Sequence, residues 1–347
     1  MRNGNANKEI IRMDRMTRHV QTMELQQAGQ SPWLDFISRK MLRDGDLKEL
    51  IQEKGITGVT SNPSIFQSAI GQPSGGYGDS IKKMIRKDKA AFTIYDKLSI
   101  EDIRNACDLF LPVYHKSGMT DGFVSLEVAP GLAYDARLTV QEAKRLFASV
   151  NRPNVLIKVP ATPQGIEAIR CLLGDGINVN VTLIFSIPHY QKVARAYLEG
   201  LRLCSEKGGN LSRLHSVASV FVSRTDTWVD GALGKLRESS QCETDEEKVD
   251  GLVGKAAVAY SKMIYREFQS IFESDEFTSL RSRGAKIQKL LWGSTSSKNP
   301  KYHDLIYVEN LVGRETINTM PRVTLDALLD HGVVRDDSVE ENLDEAK

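Results

Sequence analysis

Short apolar runs rich in β-branched residues alternate along this chain with longer segments of helical period, and this alternation most restricts its fold. Such alternation is typical of strands and helices that pack around a parallel sheet. Eight runs favour a closed barrel, whereas an open doubly wound sheet would show a glycine-rich phosphate fingerprint after its first strand. We therefore predict an α/β fold, a single (β/α)8 TIM barrel. The predicted strands are 33–37, 57–61, 122–128, 154–159, 177–185, 215–222, 285–292 and 316–319.

The length of 347 residues fits one such barrel with added segments, and we predict a single domain over residues 1–347. Residues 1–30 precede the first predicted strand and are expected to form an N-terminal helical extension. The span 225–283 exceeds one helix, which predicts a helical insertion. Residues 333–347 are acidic and poor in apolar side chains, so this tail is expected to be an exposed helix or frayed.

The segment 139–150 has the apolar spacing of a helix. Thr139 and Glu142 stand three residues apart at its start, the spacing of a capping box. We therefore predict that this helix begins at Thr139.

Charge and cysteine usage exclude several classes of protein. The chain carries 46 Lys+Arg against 45 Asp+Glu, and this balance argues against nucleic acid or an anionic membrane as a partner. No apolar run reaches the length of a membrane span, and the N-terminus has no apolar core of signal-peptide length. The four cysteines are widely spaced, which favours a reducing, cytoplasmic environment. They are Cys107, Cys171, Cys204 and Cys242.

Polar side chains interrupt the predicted strands near their C-terminal ends. In a (β/α)8 barrel these ends form the face where catalytic groups from separate strands converge. Because strand side chains alternate, Asn180 and Thr182 share one face, and we expect both in the barrel mouth. Lys158 shares a face with Leu156 for the same reason. The polar residues in or at the ends of these runs are Asp35, Asn62, Glu127, Lys158, Asn180, Thr182 and Ser219.

Lys158 stands in the apolar segment VLIKVP, where an ammonium removed from water is costly unless it is paired or neutralised. A neutral amine is the form that makes a Schiff base with a carbonyl. The alternative is a lysine that extends to solvent or pairs with an acid. Glu127 and Asp35 have the same ordinary alternative. A lysine and two carboxylates on three different strands are more specific together, because imine formation needs proton transfer at several steps.

Two further cations follow predicted strands. Arg224, in VFVSRTD, has the forked guanidinium suited to a phosphate at the barrel mouth, and an ordinary ion pair is the alternative. Lys298, in STSSKNP, is a second candidate, with solvent exposure as its alternative. The six histidines have no H-E-x-x-H or clustered spacing, so the sequence predicts no metal site.

Ordered motifs over residues 20–332 resemble those of the transaldolase family, in its longer bacterial and plant-type branch. They occur in the family's order along the chain. They are GQSPWLDFISR (29–39), GVTSNPSIF (58–66), DGFVSLEVAPGLAYD (121–135), RPNVLIKVPAT (152–162), INVNVTLIFS (177–186), SVASVFVSRTD (216–226), LWGSTSSKNP (291–300) and NTMP (318–321).

The resemblance implies a (β/α)8 barrel with the Schiff-base lysine on its fourth strand, and Lys158 lies on the fourth predicted run. It implies that Lys158 attacks the C2 carbonyl of a ketose phosphate such as sedoheptulose 7-phosphate or fructose 6-phosphate. Asp35 would take the C4 hydroxyl proton as the C3–C4 bond breaks. Glu127, with Thr182 through a bound water, would move protons during carbinolamine formation and dehydration. The dihydroxyacetone unit would stay on Lys158 until an aldose phosphate accepts it.

The resemblance also implies the residues that hold the substrate. Asn62, Asn180 and Ser219 match those that bind the donor's hydroxyls. Arg224 matches a phosphate ligand, whereas Lys298 stands where the shorter branch has an arginine and lacks the bidentate fork. No metal or organic cofactor is implied, since the protonated imine is itself the electron sink.

The function that the resemblance implies is transaldolase in the non-oxidative pentose phosphate pathway. The alternative enzyme is a related lysine-dependent aldolase that cleaves fructose 6-phosphate and releases free dihydroxyacetone, because both share the barrel, the lysine and the acids. A third hypothesis is a barrel that only binds sugar phosphates, which needs the phosphate clamp but not the lysine. The sequence leaves donor preference and oligomeric state open, with a homodimer as the candidate assembly.

Overall fold

The computed structural model describes residues 20–87, 89–239 and 243–347. Its strands are all parallel and close into a barrel in chain order, with the last strand paired to the first. This confirms the predicted (β/α)8 fold. The strands are β1 Gln30–Leu34, β2 Gly58–Val59, β3 Val124–Glu127, β4 Val155–Pro160, β5 Val179–Ile184, β6 Ser216–Phe221, β7 Lys289–Gly293 and β8 Thr316–Met320.

Helices cover the outside of the barrel and connect its strands. None of those described is long and apolar enough to cross a membrane. They are α1 Val20–Gln27, α2 Arg39–Asp44, α3 Asp46–Lys54, α4 Pro63–Gly71, α5 Gly78–Ile85, α6 Ala91–Lys116, α7 Ala136–Val150, α8 Pro163–Gly174, α9 Ile187–Glu206, α10 Ser223–Ser239, α11 Glu243–Asp250, α12 Ala256–Phe272, α13 Asp275–Arg281, α14 Ile306–Glu309 and α15 Arg322–His331.

An apolar layer fills the barrel below its C-terminal mouth. Because strand side chains alternate, one residue in two points inward, and the inward residues of successive strands pack together. The layer depends on one close approach: a Cβ at Gly58 would lie 2.4 Å from the ring of Trp33. Glycine is therefore required beside this indole. The layer consists of Trp33, Leu156, Val217, Leu291 and Ile317, all at most 4% exposed.

The first strand begins three residues earlier than the sequence predicts. Gln30 starts it and is buried, and its amide donates to Leu311 O at 2.7 Å and to Thr316 Oγ1 at 2.9 Å. These bonds make a polar strand start stable inside the protein. The strand ends at Leu34, so Phe36, assigned to it from the sequence, is 38% exposed.

The predicted capping box of α7 is wrong. The helix begins at Ala136, and the Asp135 side chain accepts from Leu138 N at 2.8 Å. Thr139 lies inside the helix, buried, where its hydroxyl donates to Leu132 O at 2.8 Å. A short polar residue four positions upstream supplies the cap that the sequence assigned to Thr139.

Helices α10 to α13 fill the span between β6 and β7. Asp226 on α10 links this group: its Oδ1 accepts from Ala257 N at 2.7 Å and its Oδ2 from Tyr307 OH at 2.8 Å. Burial raises the pKa of Asp226, and these two bonds oppose the shift. One buried carboxylate therefore joins α10, α12 and α14.

The C-terminal tail docks on the barrel, so the expectation of an exposed or frayed tail is wrong at its centre. Ser338 and Val339 are fully buried. Val339 N donates to Val312 O at 3.0 Å, and Val312 N donates to Ser338 Oγ at 3.1 Å. Lys262 on α12 also donates to Glu341 O at 2.5 Å. A helical extension is expected over residues 1–30. Residues 1–19 lie outside the described part of the chain, and helix α1 lies in the remainder.

Candidate active site

A polar cavity of about 210 Å³ opens at the C-terminal mouth of the barrel. Strand ends form its floor, and the loops after β6 and β7 form part of its rim. Of the strand-end residues that the sequence singles out, Asp35, Asn62, Lys158 and Ser219 line it, whereas Glu127, Asn180 and Thr182 do not. Among its lining residues are Asp35, Thr60, Asn62, Lys158, Ser219, Phe221, Arg224, Ser294, Ser296, Lys298 and Thr319.

Lys158 lies on the floor of this cavity and is 6% exposed. It points inward because it follows Leu156 of the apolar layer by two positions on β4. Its Nζ lies 3.5 Å from Glu127 Oε2 and 3.4 Å from Ser61 O. Both contacts are long for charge-assisted hydrogen bonds. The amine is thus held by two weak contacts and is accessible to a ligand in the cavity.

Glu127 ends β3, directly beside Lys158 in the register of the sheet. Its side chain is 15% exposed. Burial raises the pKa of Glu127, and the neighbouring Lys158 opposes the shift. A carboxyl group with a raised pKa can hold and release a proton closer to neutral pH, as a general acid and base requires.

Thr182 lies on β5, two residues beyond Asn180, and is 1% exposed. Its Oγ1 is buried and has no hydrogen-bond partner among the residues that the structure describes. The strand is irregular here: its register with β6 shifts between Val181 and Ile184, and Leu183 has a φ of 65°. A buried hydroxyl without a protein partner is the kind of group that an ordered water satisfies.

Asp35 follows β1 and is half-buried. Thr60 Oγ1 donates to Asp35 Oδ1 at 2.6 Å, and it also lies 2.7 Å from Thr319 Oγ1. The carboxylate is therefore oriented by a chain of hydroxyls from two neighbouring strands. Sequence reasoning missed Thr60 and Thr319, although both stand at the ends of predicted strands.

Asn180 is fully buried and does not line the cavity. Its Nδ2 donates to Ser125 Oγ at 3.0 Å, and its Oδ1 accepts from Ser219 Oγ at 2.6 Å. Ser219 itself reaches the cavity wall. This network joins β3, β5 and β6, and it fixes the floor on one side of Lys158.

Asn62 lines the cavity and also begins helix α4. Its Oδ1 accepts from Ile65 N at 3.0 Å, the bond of a helix N-cap. The amide Nδ2 on the same side chain remains a donor. One residue can therefore start the helix and bind a hydroxyl oxygen.

Two exposed cations stand at the rim. Arg224 begins α10 and lies over the ring of Phe221, with its Cζ 5.1 Å from the ring centroid. Lys298 lies in the loop after β7. Within residues 20–87, 89–239 and 243–347, neither cation pairs with a carboxylate. Ser294 and Ser296 line the same cavity. Unpaired cations and hydroxyls in one mouth are suited to a phosphate group.

The fold also forms a histidine cluster that the spacing in the sequence did not indicate. His303, Asp304 and His331 bring their ligand atoms within 4.8 Å of one another. All three are exposed, and none lines the cavity. His331 Nε2 lies 3.1 Å from Asp304 Oδ1, an ordinary surface contact between imidazole and carboxylate.

Comparison with known proteins agrees with this geometry. A family model described as Transaldolase/Fructose-6-phosphate aldolase matches residues 32–347, which include every cavity residue named above. A transaldolase of Thiobacillus denitrificans is 50% identical over 311 residues, 90% of this chain and 84% of the relative. A transaldolase of Trichodesmium erythraeum is 42% identical over 332 residues, which are 96% of this chain and 86% of the relative. A transaldolase of Mycobacterium ulcerans is 44% identical over 316 residues, which are 91% of this chain and 82% of the relative.

Proposed function

Because the chain belongs to the transaldolase/fructose-6-phosphate aldolase family and is a transferase, we propose that it transfers a dihydroxyacetone unit through a Schiff base on Lys158. The donor is sedoheptulose 7-phosphate and the acceptor is glyceraldehyde 3-phosphate. The products are erythrose 4-phosphate and fructose 6-phosphate, as in the non-oxidative pentose phosphate pathway. The observation that carries the proposal is a weakly held amine on the floor of a cavity rimmed by unpaired cations.

In the first step, the neutral amine of Lys158 attacks C2 of the ketose, and the carbonyl oxygen takes up a proton to give a carbinolamine. Loss of water from the carbinolamine then gives the protonated imine. Glu127 supplies and recovers these protons, which its raised pKa supports. A water between Glu127 and Thr182 relays them, and the unpartnered Thr182 hydroxyl would become its hydrogen-bond partner.

In the second step, Asp35 removes the proton of the C4 hydroxyl. The C3–C4 bond breaks, C4 leaves as an aldehyde, and the electron pair passes into the protonated imine. The hydrogen bond from Thr60 supports this role because it orients the carboxylate. The three-carbon unit then attacks the acceptor aldehyde, the new hydroxyl takes back the proton, and hydrolysis frees Lys158.

Substrate binding follows from the two ends of the cavity. Arg224 and Lys298 hold the phosphate at the rim, and no cofactor takes part. Asn62 and Ser219 bind donor hydroxyls at the wall. Asn180 lies below the cavity, so we propose that it holds the donor through Ser219, whose hydroxyl donates to Asn180 Oδ1 and reaches the cavity wall.

We further propose that residues 1–347 act as one barrel domain with its helical extension, its insertion at 225–283 and its tail. The cytoplasm is the proposed location, and the free Cys107, Cys171 and Cys204 agree with a reducing environment. A homodimer is the assembly we propose, which sedimentation equilibrium would test.

Reductive trapping tests the proposal directly. The protein is incubated with fructose 6-phosphate, reduced with borohydride and mapped by peptide mass spectrometry. A dihydroxyacetone-sized adduct is expected on Lys158 and not on Lys298, which lines the same cavity but is exposed. Lys158→Ala should give no adduct. Glu127 loses its cationic neighbour in this variant and binds a proton more readily, so circular dichroism must first show that the variant is folded.

No adduct with fructose 6-phosphate or sedoheptulose 7-phosphate would instead support a barrel that only binds sugar phosphates. An acceptor-dependence assay separates the remaining two enzymes. Turnover should require an aldehyde acceptor. Free dihydroxyacetone formed at full rate without an acceptor would identify the aldolase and overturn the transferase assignment.

A further inference from the structure

A second polar cavity lies at the opposite, N-terminal end of the barrel. Its volume is about 490 Å³, against about 210 Å³ for the candidate active site. The segment before β7 and the first residues of β6 and β8 form its walls. No residue of the proposed reaction reaches it, so this cavity needs an explanation of its own.

Cations dominate this cavity. Arg281, Lys286 and Lys289 line it, whereas Glu315 is its one carboxylate among the described lining residues. Lys289 Nζ lies 3.6 Å from Glu315 Oε2, so that pair is neutral overall. Arg281 and Lys286 have no carboxylate partner in the parts of the chain that the structure describes. Two positive charges therefore remain uncompensated at one concave surface.

A buried imidazole stands in the wall of the same cavity. His215 is 5% exposed, and its Nε2 has no hydrogen-bond partner within the described residues. The ring packs against Phe123, with centroids 4.9 Å apart, and against the neutral phenol of Tyr114. Burial and the charges of Lys286 and Lys289 lower the pKa of His215 to about 4. A buried donor or acceptor without a partner is costly unless a ligand or water completes it.

The apolar layer separates this cavity from the candidate active site. Val217 and Ile317 belong both to that layer and to the cavity wall. Two residues further along the same strands, Ser219 and Thr319 line the candidate active site. A ligand in one cavity therefore makes no contact with a ligand in the other.

We propose that this cavity is a second anion site, which binds the phosphate group of a small phosphorylated metabolite. Arg281 and Lys286 supply positive charge, and the buried His215 supplies its unpartnered Nε2 as a hydrogen-bonding group. Inorganic phosphate is the minimal ligand, and a phosphate ester adds a sugar in the remaining volume. The site is independent of the proposed reaction and does not rest on it.

The test follows His215, because phosphate also binds the active-site rim and a global binding signal would mix the two. The imidazole signals of ¹⁵N-histidine-labelled protein, assigned with His215→Asn, are titrated with inorganic phosphate, ribose 5-phosphate or ribose. The pH is about 6, where an unperturbed histidine is mostly protonated but His215, whose pKa is lowered to about 4, is neutral. We expect phosphate and the ester to shift the His215 signals saturably toward the protonated form, since a bound anion offsets the two lysines. Ribose should have no effect.

Charge-reversal variants supply the controls. Lys286→Glu and the exposed Arg281→Glu should each weaken the apparent affinity about tenfold, the effect of reversing one partly exposed charge. Lys48→Glu, an exposed lysine on α3, should leave it unchanged. Equal shifts with chloride at the same ionic strength, or unaltered binding in both folded charge-reversal variants, would refute the site. Tighter binding of the ester than of phosphate identifies a sugar phosphate as the ligand, and equal binding identifies inorganic phosphate.

Discussion

Thr182→Val should separate activity from stability at a single atom. The Thr182 hydroxyl is buried and without a partner among the described residues. Desolvation of such a hydroxyl costs about 1–3 kcal/mol, whereas a methyl group in its place has the same branching and nearly the same size. We therefore expect the free energy of unfolding not to fall: it stays equal where the relay water satisfies the hydroxyl in the free protein, and rises by up to about 2 kcal/mol where the site is dry. The value of kcat should fall about 10²-fold, because the proton relay loses its anchor.

Thr139→Val is the matched control. Thr139 is equally buried, but its hydroxyl donates to Leu132 O at 2.8 Å, and neither residue lines the cavity. Loss of that bond should lower the free energy of unfolding by about 1 kcal/mol and leave kcat unchanged. Urea unfolding with equal m-values gives the stabilities, and a coupled assay with sedoheptulose 7-phosphate gives kcat.

The opposite pattern would refute the reasoning. If Thr182→Val loses as much stability as Thr139→Val and retains its kcat, its hydroxyl has an ordinary structural partner and no part in proton transfer. A second check is the rate of borohydride trapping. Slower trapping in Thr182→Val, with the same final adduct, would locate the defect in imine formation.

Arg224→Ala should raise KM for phosphorylated ketoses about 10–100-fold with little change in kcat, because a charge-assisted contact is lost equally in the ground and transition states. An equal rise in KM for an unphosphorylated ketose would contradict a phosphate-binding role. Because burial raises the pKa of Glu127, kcat should begin to fall on acidification above the ordinary glutamate range. Glu127→Gln should lower kcat and remove that acid limb from the pH–rate profile, and a retained limb would exclude Glu127 as its source. Val339→Ala should lower the free energy of unfolding by about 2 kcal/mol, measured by urea unfolding, because Val339 is fully buried; an unchanged midpoint would mean that the tail does not stabilise the barrel.

The strands were the most predictable part of the fold, because apolar β-branched runs mark them directly. The exceptions have physical reasons. The start of β1 is polar, and only its distant partners Leu311 and Thr316 make Gln30 stable there. The tail has too few apolar residues for a prediction of burial, yet Val339 fits a space beside Gly313, where a Cβ would lie 2.5 Å from its Cγ1.

The site was predictable to the extent that the alternation of side chains along a strand (strand parity) determines which of them point into the barrel. Parity correctly predicts that Lys158 shares the interior of the barrel with Leu156. It does not give depth, which is why Asn180 lies below the cavity and is bonded to Ser125 and Ser219. The hydroxyl of Thr60 beside Asp35 depends on the pairing of separate strands, and no local pattern in the sequence encodes it.

The apolar layer beneath Lys158 has a consequence for the lifetime of the proposed Schiff base. It fills the barrel beneath Lys158, so water approaches the proposed imine from the side of the mouth, where Arg224 and Lys298 stand. A sugar phosphate held between those cations blocks the same passage. We therefore expect hydrolytic escape of the three-carbon unit to be controlled at the rim, where the next aldehyde must also arrive. Residues of the rim would then help to decide whether the three-carbon unit is transferred to an aldehyde or released to water.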